Sequence, residues 1–367
     1  MSAAHVLTMI ETGGPGGAER VLVNIAGTLA SDPGWRASAV LQRDGWLAEQ
    51  LRARGVPTRF LPLRRQLDFG FLRRVVRQIR DEDIRLIHSH EFGMNVHGAV
   101  AAKLAGIPCV ATVHGRTYYG DNRRRILAMR ALRHLGATVV AVSADIRALL
   151  CEGLGVRDVR VIANGIDGSA YENAARLPRS TWGLPEHAHI IGAVGNLYEV
   201  KGHRVLVEAV ARSDRSDMHV VIAGRGEEEA HLRRLAADRG IADRVHLLGF
   251  RSDVPELLKT FDAYVLPSFS EGQSLALMEA MAARSAIVAT RVGGNPEIVR
   301  EGQEGLLVPA GDPDALAAAL GKLFGEAELA GRLAAAAQRR ARELFSLDAM
   351  MAAYIDLYAE RGVRPGN

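Results

Sequence analysis

Short, apolar, β-prone runs recur along almost the whole chain, with helical patterns between them. The runs are "HVLTMI", "RASAVLQ", "TRFLPL", "RLIHSH", "CVATVH", "ATVVAVS" and "VRVIAN", then "HIIGAVGN", "HVVIAG", "RVHLLG", "AYVLPS", "AIVAT" and "GLLVPA". The helical segments of the first set include 18–30, 71–81, 94–105 and 144–151. Runs that stay apolar rather than alternating need cover on both faces, and the intervening helices must supply it. This restricts the chain to βαβ units around parallel sheets. The rhythm breaks once, in the polar stretch "NGIDGSAYENAARLPRSTWGLPEHA", which carries Pro178, Gly183 and Pro185. A boundary is therefore expected there, with an N-terminal domain over 1–168, a linker over 169–185 and a C-terminal domain over 186–345. A helical tail spans 313–362, and its last helix, 346–362, is expected to pack back toward the first domain. At 367 residues both domains are of ordinary size. They share a rhythm without a short repeat, so the expectation is two Rossmann-like doubly wound α/β domains facing a cleft, not a solenoid.

Composition removes several alternatives. The chain is 48% hydrophobic and 24% charged, with a mean hydropathy of +0.01. No apolar stretch approaches the roughly 18 residues of a membrane span. The N-terminus "MSAAHVLTMIETGG" enters a strand without a basic region or cleavage site, so a cytoplasmic protein is expected. Cys109 and Cys151 are too few and too far apart for a disulfide framework or a thiolate metal site. Charge is uneven, at +8 over residues 1–170 and −4 over the rest. Arginines cluster as Arg64, Arg65, Arg73, Arg74, Arg77 and Arg80, and as Arg123, Arg124, Arg125, Arg130 and Arg133. Solvated helix faces account for such clusters, and so does attraction to an anionic membrane surface or acceptor. Nucleic acid is disfavoured, because aromatics are 5% of the chain and do not interleave with these arginines.

Ligands of open parallel sheets bind beyond the carboxyl ends of strands. The loop after the first run, "ETGGPGGAER", is glycine-rich and leads into a helix, which suits a phosphate through the amides near Gly16 and Gly17 or serves simply as a tight turn. It is neither a dinucleotide fingerprint, since Glu19 stands where the last Gly belongs, nor a P-loop. The stretch "FSEGQSLALMEAMAAR" holds two carboxylates, Glu271 in a loop and Glu279 inside an apolar helix that Ser274 can cap. A carboxylate in such a helix needs a partner, either an Arg of the same fold or a ligand. Glu271 and Glu279 accepting hydroxyls at two ends, with an anion at the amides of Ser274 to Ala276 between them, describe a nucleotide sugar.

Five segments in order, "GGAERV", "GNLYEVKGH", "AGRGEEE", "EGQSLALMEAMA" with its E-x7-E spacing, and "VGGNPEIV", together resemble glycosyltransferase family 4 over nearly the entire chain. The resemblance implies the GT-B fold and a retaining hexosyl transfer from a nucleoside diphosphate sugar, UDP ahead of GDP, with no metal or other cofactor required. It places Glu271 at hydroxyls of the donor sugar, Glu279 at the ribose, and the amides of Ser274 and Leu275 at the diphosphate. Lys201 matches the family's diphosphate-binding lysine. His114, at a strand end, matches a histidine near the sugar, and Phe250 and Arg251 lie where the family holds the nucleobase. One position departs: Asn196 stands where the family usually has Arg, so either Lys201 carries more of the leaving-group stabilisation, or Arg225 or another residue substitutes for the missing cation. His88 and His90 also end a strand and either line the acceptor side or cap it. Three histidines at strand ends raise the question of a metal, but no carboxylate joins them at ligand spacing. In "NGID", Asn164 and Gly165 suit a tight turn, with Asp167 available to hydrogen-bond it.

The expected mechanism is attack on the face from which the diphosphate leaves, through an oxocarbenium-like ion pair. Lys201, the Gly16–Gly17 amides and the helix start at Ser274 stabilise the leaving group, and domain closure excludes water. The acceptor is expected to be a glycan or lipid-linked sugar of cell-surface polysaccharide, met by a peripheral enzyme at the inner face of the membrane. Two alternatives stand beside this: a nucleotide-sugar epimerase, for which Glu91 is the candidate acid/base, and a non-catalytic nucleotide-binding scaffold.

Overall fold

The computed structural model describes residues 3–65, 67–116, 122–185 and 187–366. The chain divides into two compact units, Met1–Gly165 with Leu347–Asn367, and Ile166–Ser346. The division falls at Gly165, three residues before the boundary read from the sequence. The stretch read as a linker belongs to the second unit, where Ser169–Glu172 and Arg179–Trp182 form short helical turns.

The N-terminal unit is built on seven strands: β1 Ala4–Met9, β2 Trp35–Leu41, β3 Thr58–Phe60, β4 Ile84–His90, β5 Cys109–Val113, β6 Ala137–Ala141 and β7 Arg160–Val161. All pair in parallel, in the order β3-β2-β1-β4-β5-β6-β7. Every residue of β1, β5 and β6 is buried, as the continuous apolar runs require. Helix Phe69–Asp81 shows why its sequence is amphipathic. Phe71, Leu72, Val75 and Ile79 face the core, and Arg73, Arg74, Arg77 and Arg80 are exposed. Asp68 starts this helix by accepting from the amide of Phe71 at 2.9 Å and from that of Arg64 at 3.0 Å. The last helix, Leu347–Glu360, belongs to this unit and buries Met350, Met351, Tyr354, Leu357 and Tyr358.

The C-terminal unit has six parallel strands: β8 His189–Val194, β9 Met218–Ala223, β10 Val245–Leu247, β11 Ala263–Leu266, β12 Ala286–Thr290 and β13 Leu306–Val308. Their order is β10-β9-β8-β11-β12-β13. Each sheet reverses its winding once, between β1 and β4 in one and between β8 and β11 in the other. Loops leaving the carboxyl ends of those strand pairs splay apart and create the crevice where such sheets bind ligands. Among the described residues no helix is long and apolar enough to cross a membrane. Both cysteines are free thiols.

Candidate functional site

In the C-terminal unit the crevice is formed by the segment after β8, which carries Asn196 and Lys201, and the segment after β11, which carries Ser268 and Glu271. The two are locked together. The amide of Phe269 donates to Val200 O at 2.8 Å, and Gly202, at φ 67°, lies so close to Pro267 O that a Cβ would collide with it. Gly293, at φ 50°, presses the same way on the backbone carbonyl of Glu271. Behind them, Thr290 Oγ1 donates to Ser268 O at 2.6 Å, and Asn295 Nδ2 donates to Thr290 O at 3.0 Å. The carboxylate of Glu271 is thereby held on a rigid support.

Lys201 Nζ donates to Glu271 Oε1 at 2.8 Å, and Ser268 Oγ donates to the same oxygen at 2.6 Å. Glu271 is 7% exposed and Lys201 is 29% exposed, so the pair meets solvent through the cation. With both donors on Oε1, Oε2 is the oxygen placed to accept from a ligand hydroxyl. Ser274 caps helix Leu275–Ala282 by accepting from the amide of Leu277 at 3.3 Å, so Leu275 and Ala276 stand at its positive end. Glu279 lies further along the helix and is 1% exposed. Tyr264, fully buried on β11, has its hydroxyl pushed well above the usual phenol range, first by burial and then by the charges of Glu271 and Glu279. Both carboxylates therefore act on one buried spot.

The other candidates of this unit fall on the same carboxyl edge. Asn196 is half-buried just after β8. Arg225 follows β9, where its carbonyl accepts from the amide of Leu197 at 3.0 Å. Its guanidinium lies over the ring of Phe250, 5.3 Å from the centroid. Arg251 turns the other way and forms a bidentate ion pair with Asp253 at 2.8 and 2.5 Å, which holds the Asp253 carboxyl below its ordinary range. Of the two candidates after β10, Phe250 is the one that offers a free surface. Ser268, Thr290, Gly293 and Tyr264 were not singled out in the sequence. The one signal for any of them is Gly293, inside "VGGNPEIV".

In the N-terminal unit the crevice between β1 and β4 is lined by acids. Glu91 starts helix Phe92–Ala105 at φ 65°, a left-handed backbone that a residue with a side chain adopts only under strain. Its Oε2 accepts from Thr12 N at 3.3 Å and from Thr12 Oγ1 at 2.9 Å. Burial pushes the Glu91 carboxyl up to about 7, against the Thr12 hydrogen bonds and with help from Glu19 and Glu11. Glu11 Oε2 accepts from Gly93 N at 3.2 Å. Gly16 and Gly17 open helix Gly17–Ser31 as the sequence implies, but the buried carboxylate of Glu19 lies against Gly16. The positive end of that helix is thus already faced by an acid, and only the Gly17 side is open.

His114 follows β5 and is half-buried. His90 Nδ1 is 2.8 Å from His114 Nε2, with the ring centroids 5.1 Å apart and the planes 23° from parallel. His88 stacks on His90 at 4.4 Å. His88 itself is fixed by Tyr358 Oη at 2.7 Å and Thr112 Oγ1 at 2.8 Å, and Thr112 Oγ1 meets Tyr354 Oη at 3.2 Å. The final helix therefore reaches into a layer of histidines. Burial lowers His114 to about 4 and His88 to about 3, and holds His90 well below the ordinary imidazole value. All three are neutral at pH 7. Among the described residues no group of His, Cys, Asp and Glu is arranged to hold a metal ion. In "NGID", Asp167 does not bond the turn before it; its Oδ1 accepts from Ser169 N at 3.0 Å and Ser169 Oγ at 2.6 Å.

Two family models match the chain, one described as Glycosyltransferase Family 4 over residues 15–169 and one described as Glycosyl transferases group 1 over residues 188–326. The chain is 28% identical over 291 residues to the UDP-Gal:alpha-D-GlcNAc-diphosphoundecaprenol alpha-1,3-galactosyltransferase of Escherichia coli, covering 75% of each protein. It is 31% identical over 303 residues to the D-inositol 3-phosphate glycosyltransferase of Corynebacterium jeikeium, covering 75% of this chain and 72% of that one. The crystal structure of HepE from Anabaena in complex with UDP superposes with a TM-score of 0.87 at 23% identity, covering 97% of this chain and all of the other. At that identity the likeness is one of fold.

Proposed function

Because the chain belongs to glycosyltransferase family 4, we propose that it moves a hexosyl group, with retention, from a UDP-sugar to a hydroxyl of a glycan or lipid-linked acceptor. That it is a glycosyltransferase replaces the epimerase and scaffold readings. The observation that carries the finer reading is the Lys201–Glu271 pair at the winding reversal of the C-terminal sheet, beside the capped helix that buries Glu279. A cation, a helix start and two carboxylates on one edge match a diphosphate flanked by sugar and ribose hydroxyls. UDP is favoured over GDP because the E. coli relative is named for UDP-Gal and HepE binds UDP.

In this reading Lys201 and the amides of Leu275 and Ala276 bind the diphosphate, Glu271 Oε2 accepts from a sugar hydroxyl, and Glu279 accepts from the ribose. Phe250 and Arg225 offer a flat surface to the base, and His114 hydrogen-bonds the sugar. The bond from the anomeric carbon to the phosphate oxygen breaks with its electron pair leaving on UDP. The acceptor oxygen bonds to the same face, and its proton passes to the departing phosphate. No protein nucleophile and no metal enters the scheme. The N-terminal crevice, with Glu11, Glu19 and Glu91, favours hydroxyls over phosphate, so the Gly16–Gly17 loop plays the smaller part in holding the leaving group.

Titration calorimetry with UDP tests the binding half. Glu279→Ala is expected to weaken UDP by at least the roughly 1.5–3 kcal/mol of a charged hydrogen bond. Unchanged affinity in a folded variant removes Glu279 from the ribose. Screening UDP- and GDP-sugars for release of the nucleotide fixes the donor.

The lipid-linked acceptor brings the enzyme to a membrane. Around helix Phe69–Asp81, Phe69 is 80% exposed and Leu67 is 59% exposed. Arg64, Arg65, Arg73, Arg74 and Arg77 are exposed in the same segment, and among the described residues none of these arginines forms an ion pair. The second cluster is partly engaged instead, with Arg125 over Phe92, Arg130 on Leu154 O and Arg133 with Asp158. Each basic residue close to an anionic surface contributes about 1 kcal/mol. Vesicles of phosphatidylglycerol are expected to bind the protein at low salt and release it as salt rises. Reversing Arg73, Arg74 and Arg77 to Glu is expected to abolish binding, and binding that survives the reversal assigns the surface elsewhere.

A further inference from the structure

Among the described residues the His90 ring makes its hydrogen bond through Nδ1, and its Nε2 is buried without a partner. The two neutral rings of His90 and His114 can share their bond in only two ways. If His114 donates from Nε2, His90 must carry its own hydrogen on Nε2, and a buried N–H is left with no acceptor. If His90 donates from Nδ1, only a bare nitrogen lone pair is left unsatisfied. Orphaned buried donors are rarer and costlier than orphaned acceptors, so the second arrangement wins.

We propose that His90 is a positioning residue that fixes His114 as the Nδ1–H tautomer, so that His114 meets a sugar as a hydrogen-bond donor and never as a base. His90 in turn packs against a fixed neighbour. His88 stacks on its ring, and both nitrogens of His88 are held, one by Tyr358 and one by Thr112. Thr112 is tied to Tyr354, so the final helix sets the histidine layer from a point more than 240 residues along the chain. Full burial and the stacked His88 hold the His90 ring with Nδ1 toward His114. This also answers what the pair of histidines ending β4 is for. His88 anchors, His90 orients, and neither needs to touch a ligand.

The tautomer assignment stands on the geometry of two neutral buried rings, whereas its use in transfer rests on the function proposed above, and the experiment separates the two. Long-range proton–nitrogen correlation spectra of the protein labelled with 15N-histidine report which ring nitrogen carries hydrogen. Among the twelve histidines, His114 is assigned by the signals that vanish in His114→Gln. In the wild type, His114 is expected to show hydrogen on Nδ1 only. In His90→Phe, which keeps a ring in the stack but removes the donor, His114 is expected to shift toward the Nε2–H form. His90→Asn, whose amide can replace Nδ1–H, is expected to restore the wild-type pattern. Donor turnover should follow, falling about tenfold in His90→Phe for the loss of one oriented hydrogen bond and recovering in His90→Asn. Hydrogen on His114 Nε2 in the wild type, or an unchanged His114 signal in folded His90→Phe, overturns the proposal. A tautomer shift with full turnover retains the orientation and instead refutes the role of His114 at the sugar.

Discussion

Lys201→Ala is expected to lower kcat by about 100-fold or more while leaving the affinity for UDP within a few-fold of wild type. A hundredfold is about 2.7 kcal/mol of transition-state stabilisation. The asymmetry follows from the resting state. Lys201 is already paired with Glu271 at 2.8 Å, so a diphosphate that binds gains only part of the cation's charge. As the anomeric bond breaks, negative charge grows on the phosphate oxygen, and only then does the lysine contribute fully. The substitution also takes one of two donors from a carboxylate that is 7% exposed, leaving Ser268 alone on Oε1. A loss of about 1–3 kcal/mol of stability is therefore expected with it, and kcat must be read on a variant shown to be folded. A variant that loses UDP affinity with kcat intact places Lys201 in ground-state binding instead. Asn196→Arg is the companion measurement. Asn196 is half-buried in the segment that shares the edge with Arg225, joined by the Leu197 N to Arg225 O bond. If the site runs short of positive charge, the added arginine raises kcat and partly rescues Lys201→Ala. No gain in either background indicates that Arg225 already supplies the charge.

How much of this was legible in the sequence depends on distance along the chain. The strands were readable because a parallel strand buried on both faces must be apolar throughout, as in "CVATV" of β5, whose every residue is buried. The Ser274 cap was readable because it acts three residues away. The short β7, Arg160–Val161, lies in the run "VRVIAN", whose apolar signal outlasts the paired residues. The Lys201–Glu271 contact spans 70 residues and exists only because β8 and β11 are neighbours. Strand order is not encoded locally, so motif resemblance could name both residues without bringing them together. The same holds for Tyr354 and Tyr358, which lie in the helical tail and prove to fix His88 and Thr112. The strained backbone of Glu91 had no signal at all, since nothing in "HEFG" demands a positive φ there. Likewise Glu19 reads as an ordinary first-turn acid, and only the fold reveals that it covers Gly16.

The histidine layer carries the other large expectation, a steep loss of stability in mild acid. His88 at about 3 and His114 at about 4, with His90 well below its ordinary value, refuse protons in the folded state, chiefly because they are buried. Unfolded, each takes one up near the ordinary imidazole value of 6.5. The unfolded chain thus binds more protons, and stability, full above pH 6.5, falls as pH drops from there toward 4. Each group contributes a slope of about 1.4 kcal/mol per pH unit. Glu91 works in the opposite sense. Its carboxyl, at about 7 when folded and 4.5 when not, holds a proton that the unfolded chain has released, so folding gains stability as pH falls from 7 to 4.5. Three histidines against one carboxyl give this layer a net slope of roughly two protons, about 2.7 kcal/mol per pH unit, between pH 6.5 and 5, and His5, which burial also lowers, adds in the same sense. That is a large share of the 5–15 kcal/mol stability of an ordinary domain. Urea unfolding followed at pH 7.5, 6.5, 5.75 and 5 measures it directly. Glu91→Gln removes the opposing proton and should steepen the slope by about one, while His90→Phe removes one of the three and should flatten it by about one. A wild-type curve that is level across this range means that the histidines accept protons in the folded protein, and that the layer is open to water rather than sealed by Tyr354 and Tyr358.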